Sequence, residues 1–267
     1  MADEEELASR SPPPETDGGG TMHIHKPKPL HGVREFLWEI TVIVIGVLIA
    51  LSAEQIVQSF EWHDKIRRAH EDMGNEISAD DGPQVLERLA LTNCVEASLR
   101  TIRTEVESGA SRTMVLHAID RYGVPDHTWD SQAFDTARAE GVTLRGSWQD
   151  LAWWNLFFYA MPSLNQGAER EFDDGAALRA ISRTGSSLSE EEKARIILAV
   201  ETLSRDDRRM TAGAVQAQFA MQKLHLVLEP HAVQRELNVL VQMPGAGACV
   251  AKFKALVDAN RTPLPTH

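Results

Sequence analysis

One apolar run, FLWEITVIVIGVLIALSA at residues 36–53, constrains this chain more than any other feature. As a helix it would extend about 27 Å at about 1.5 Å per residue, close to the hydrocarbon thickness of a bilayer. Its single charge, Glu39, stands one turn from the N-terminal end beside Trp38, within reach of the interface. The charge-free core, 40–53, is 14 residues long, which also suits the apolar region of a signal peptide, and Ala50-Leu51-Ser52 resembles a cleavage site. Two observations favour an uncleaved anchor. The 35 residues before the run are too many for an ordinary n-region and begin acidic. Apolar spacing also continues beyond it: Ile56, Phe60, His63, Ile66, His70, Met73 and Ile77 follow at intervals of three or four. The expectation is a transmembrane helix continuous with a helical stalk at 54–80, the two forming one rigid unit.

The flanks bear on orientation. Residues 1–22 combine an acidic run with Pro and Gly triplets and cannot build a core, so a disordered acidic tail is expected. Residues 23–35 form a basic juxtamembrane segment in which Lys26, Lys28 and Arg34 precede the span, and with Trp38 these are the expected membrane-interface residues. Lys65, Arg67 and Arg68 follow the span at a greater distance. The closer basic flank predicts a cytoplasmic N-terminus, with the C-terminal domain on the far side of the membrane. Gly46, Ala50 and Ala53 form a small-residue row that could pair transmembrane helices.

The remainder, 81–262, reads as an antiparallel helical bundle, making the chain all-α. Asp81-Gly82-Pro83 is expected to be a turn that opens a helix running to about Val106. Short helices follow near 114–122 and 128–140, the latter ended by Gly141. The stretch 148–161 carries aromatics on nearly every face (Trp148, Trp153, Trp154, Phe157, Phe158, Tyr159), which implies burial, an interface, or a pocket with Asn155 as its polar contact. Ser189 and Glu192 form a capping box. It opens a long seam at 4-3 spacing: Ile196, Val200, Leu203, Asp207, Met210, Ala214, Ala217, Met221, Leu224 and Leu228. Asp207 is its one defect, expected at a kink or a solvent-exposed end, and Pro230 is expected to stop the helix. Two shorter helices at 231–242 and 247–259 close the chain. Cys94 and Cys249 have no metal or redox spacing; in an extracytoplasmic domain they are a natural disulfide pair, and otherwise two small buried hydrophobes.

The run HIHKPKPLHGVREFLWEITVIVIGVLIALSAEQ at 23–55 resembles the N-terminal signature of a family of alphaproteobacterial proteins of unknown function. These begin with a His/Lys/Pro segment and pass through a GVLIAL-type span into a helical region. The likeness continues more loosely through 129–141 and Cys249. It implies a single-pass inner-membrane protein of a Gram-negative bacterium and supplies no activity.

Chemistry is sparsely signalled. A net charge of −12 opposes nucleic-acid binding, which needs a Lys/Arg-rich face. No HExxH, GxSxG, Walker A or GxGxxG pattern occurs. His63 and His70 share a face of the stalk, His117, His127, His225 and His231 are scattered, and His23-x-His25 is a weak pair in the tail. No metal, cofactor or catalytic residue is assigned. The acidic pairs Asp80-Asp81, Asp173-Asp174 and Asp206-Asp207 read as solvated turns. The expected function is an interaction or sensor-like domain, or an accessory subunit of an envelope complex, with the bilayer and a protein partner or second copy as its contacts. The alternative is an anchored enzyme whose site follows no motif.

Overall fold

The computed structural model describes residues 32–181 and 183–261; the expected acidic tail and the basic residues Lys26 and Lys28 lie outside them. Among the described residues the chain is all-α. Its helices are α1 (Val33–Glu76), α2 (Gly82–Glu107), α3 (Arg112–Asp120), α4 (Gln132–Ala139), α5 (Trp148–Phe158), α6 (Met161–Arg179), α7 (Glu190–Lys223), α8 (Pro230–Gln242) and α9 (Gly247–Arg261). Two compact units divide the chain, Met1–Ile56 and Val57–His267.

In the first unit the Val, Ile and Leu side chains of the apolar part of α1 are exposed along every face. A continuous apolar surface of this kind is not stable in water. This helix is also long and apolar enough to cross a membrane. Its two hydroxyls are satisfied internally: Thr41 donates to the Leu37 carbonyl and Ser52 to that of Leu48, both at 2.7 Å. In hydrocarbon such back-bonding removes the cost of an unpaired donor.

In the second unit α2 is the central element, packed on α7 along its length and on α3, α8 and α9, while α5 and α6 cover other parts of α7. The expected 4-3 seam of α7 is buried from Ile196 to Met221. The capping box opens this helix as expected, with the Glu192 side chain accepting from the Ser189 N–H at 2.8 Å. Glu192 also receives both ends of the Arg112 guanidinium at 2.8 Å, joining α7 to α3. The aromatic stretch is mostly core: Trp154, Phe157, Phe158 and Met161 are buried, whereas Tyr159 is exposed.

Three expectations are corrected. Asp207 is neither a kink nor an exposed end. It is fully buried, and the Arg88 guanidinium donates to its carboxylate at 2.5 Å and to Glu171 of α6 at 2.8 Å. Burial pushes the Asp207 carboxyl up to about 6 even against the pull of Arg88. Next, α7 ends at Lys223, seven residues before Pro230, which instead opens α8. His225 takes a left-handed φ of 54°, and the Leu226 N–H reaches back to the Met221 carbonyl at 3.2 Å, closing a Schellman motif without glycine.

The third correction concerns Asp81-Gly82-Pro83. No reversal occurs there: the backbone stays helical through a π-helical turn at Ile77–Asp81 and leads directly into α2. Pro83 has no N–H to donate and would crowd a regular helix. The wider turn lets the Gly82 N–H reach the Ile77 carbonyl, five residues back. Outside donors satisfy the carbonyls this frees. Ser78 accepts from the Glu229 N–H at 3.0 Å, and Ala79 from the Arg235 guanidinium at 3.1 Å.

A Cβ at Gly82 would lie 2.6 Å from both the Ile77 carbonyl oxygen and the Leu228 side chain. Alanine ordinarily gains about 1 kcal/mol over glycine inside a helix. Here Gly82→Ala is expected to destabilise the folded chain by about 1–3 kcal/mol, as overpacking does. Urea unfolding of the full chain in non-ionic micelles checks the sign; a stabilised variant would contradict the tight π-turn.

Candidate functional site

The π turn positions a loop. Asp81 of this turn and Glu76, the residue just before it, reach across to residues 123–133: the Asp81 side chain accepts from the Asp130 N–H at 3.0 Å, and Glu76 accepts from the Ala133 N–H at 2.9 Å. The latter bond caps α4, since the side chain of its N-cap residue, Ser131, makes no capping bond. Asn165 of α6 holds the same loop from another side, accepting from the Trp129 N–H at 2.8 Å and donating to the Trp129 carbonyl at 2.7 Å. The expected helix from residue 128 therefore begins only at Gln132, because residues 128–131 are spent on these contacts.

Thus pinned, the loop places His127 against Glu87 of α2 and Glu236 of α8. The His127 Nε2 is in close contact with the Glu87 carboxylate and lies 3.8 Å from Glu236 Oε2. One donor atom from each of the three side chains falls within 4.8 Å of the other two. Glu87 is fully buried and Glu236 nearly so, while the His127 side chain is 11% exposed. Glu236 Oε1 accepts from Arg235 Nε at 2.9 Å, and Arg235 also pairs with Asp80 at 3.0 Å. Glu87 Oε1 has no hydrogen-bond donor among the described residues. Burial holds the Glu87 carboxyl above the usual range, His127 pulls it down, and the charge of Glu236 adds to the rise. Two carboxylates and an imidazole in such a space can share a proton or hold a cation.

The sequence-predicted residues are distributed otherwise. Cys94 of α2 and Cys249 of α9 are joined by a disulfide with Cα atoms 6.2 Å apart. Arg34, Trp38, Gly46, Ala50 and Ala53 lie exposed on α1. His63 is exposed, whereas His70 stacks on Trp154 with ring centroids 5.6 Å apart, so the two do not form one site. The reading of the acidic pairs as solvated turns fails for Asp81, Asp206 and Asp207, all buried. Glu87, His127 and Glu236 were not singled out as a group, and no local spacing could have found them, since they come from three separate elements. No family model, curated protein or solved structure matches the chain.

Asp81 supplies a pH test. Burial pushes its carboxyl up to about 8, with Glu76, Asp130 and Asp80 adding like charge against the bond from the Asp130 N–H. Unfolded, it would release its proton near pH 4. The folded state thus binds the extra proton, and its stability falls as pH rises from about 4 through about 8. The unfolding temperature of the full chain should drop between pH 5 and 8, and Asp81→Asn should flatten that drop. Equal slopes for the two proteins would contradict this assignment.

Proposed function

We propose that the chain is a single-pass protein of a bacterial inner membrane, N-terminus cytoplasmic, whose helical domain works in the periplasm as an interaction or sensor-like module. The Cys94–Cys249 disulfide carries the reading. Structural disulfides persist on the oxidising side of a membrane and are rare in cytosol. The basic residues before the span, Arg34 among them, support the same orientation, and the resemblance at 23–55 supports an inner-membrane location.

Interaction is supported by apolar side chains left at the surface of the second unit. Val215 and Phe219 are exposed one turn apart on α7, and Phe219 meets the Trp153 ring edge-on at 5.5 Å. The row Gly46, Ala50 and Ala53 supports pairing of two spans. A membrane-anchored enzyme is the second reading, favoured by the partly exposed His127 between two buried carboxylates.

Protease treatment of the full chain in sealed membranes tests the orientation. The domain should be cut in spheroplasts and protected in inverted vesicles. The reverse pattern would put it in the cytoplasm and overturn the proposal. Crosslinking in the same membranes that returns monomer alone would remove the pairing of spans.

A further inference from the structure

We propose that Glu87, His127 and Glu236 bind one divalent transition-metal ion of the zinc, manganese or iron(II) class, joining α2, the 123–131 loop and α8. The donor set indicates the class. An imidazole nitrogen with two carboxylate oxygens suits these borderline ions, whereas calcium prefers an all-oxygen shell and copper(I) prefers sulfur.

Three observations support the assignment. Donor atoms about 2.0–2.2 Å from a common ion lie about 3–4 Å from one another. The three here lie within 4.8 Å of each other, close to that spacing. The second observation is Glu87 Oε1, a carboxylate oxygen on a fully buried side chain with no donor among the described residues. A buried polar atom without a partner is costly, and a metal ion would supply that partner. Charge points the same way, because a divalent ion balances both carboxylates while leaving the imidazole neutral.

The third observation is the support behind the donors. Arg235 holds the Glu236 carboxylate and is itself fixed by Asp80 and the Ala79 carbonyl, 3.0 and 3.1 Å away. Asp81 and Asn165 hold the His127 loop through backbone bonds at Asp130 and Trp129. Bonds that orient ligands in this way are usual behind metal sites. The rival occupant is a proton shared among the three groups, and the experiment separates the two.

Full chain in non-ionic micelles, without a polyhistidine tag, is stripped with chelator and equilibrated with Zn²⁺ or Co²⁺. Metal analysis should then give about one equivalent per chain, and Co²⁺ should show visible bands of a nitrogen–oxygen site. His127→Ala and Glu87→Gln should weaken binding by about tenfold or more, whereas His23→Ala/His25→Ala and His231→Ala should leave it unchanged. The zinc X-ray absorption of wild-type protein gives a readout independent of variant folding, and should show nitrogen and oxygen neighbours including one imidazole. Zn²⁺ should also raise the wild-type unfolding temperature. Absence of stoichiometric binding would overturn the proposal in favour of the shared proton. Binding retained in His127→Ala, or lost in His23→Ala/His25→Ala, would overturn it as well.

Discussion

The second unit depends on a cation buried between three helices. Arg88 sits mid-bundle on α2, 3% exposed, with carboxylates from α6 and α7 as its partners. Withdrawing a guanidinium from water costs several kcal/mol, and the site is tolerable only while its partners stay in place. This sets the position of both helices along α2. Close approach elsewhere reinforces that position: a Cβ at Gly167 of α6 would lie 2.4 Å from the Met210 side chain of α7. Neighbouring Glu87 faces a different set of groups, His127 and Glu236. Two consecutive residues of α2 therefore anchor two polar clusters, one closing the bundle and the other forming the candidate site.

The way α1 gives way to α2 makes this possible. A reversal at Gly82-Pro83 would have separated the two helices. The π turn absorbs the proline, and the freed Ser78 and Ala79 carbonyls become attachment points for the segment leading into α8 and for Arg235. Arg235 then steadies Glu236. Backbone irregularity and candidate site are thus connected through one side chain, which fits the frequent occurrence of π turns beside functional sites.

Elements with local signals were legible in the sequence. The apolar span, the capping box at Ser189 and the seam of α7 rest on spacing and hydrogen-bonding chemistry contained within a few turns. Features that depend on distant partners were not. Helix α6 is the clearest case: its buried positions Met161, Leu164, Gly167, Glu171, Gly175 and Leu178 recur at helical spacing, but two are glycines and one is a charge. No hydrophobic pattern announces such a helix. Asp207 looked like a defect because nothing near it in sequence reveals Arg88. His225 ends α7 in a conformation that usually signals glycine. The candidate site was illegible for the same reason, since Glu87, His127 and Glu236 meet only after the loop is pinned.

Arg88 and its two carboxylates hold the bundle together by mutual compensation. Urea unfolding of the full chain in non-ionic micelles tests it most directly, comparing Arg88→Met with the triple variant Arg88→Met/Glu171→Leu/Asp207→Leu. Arg88→Met alone should lose about 3–5 kcal/mol, because two carboxylates are left buried without a cation, and the triple variant should recover most of that loss. A single variant within about 1 kcal/mol of wild type, a difference typical of exposed pairs, would contradict the account.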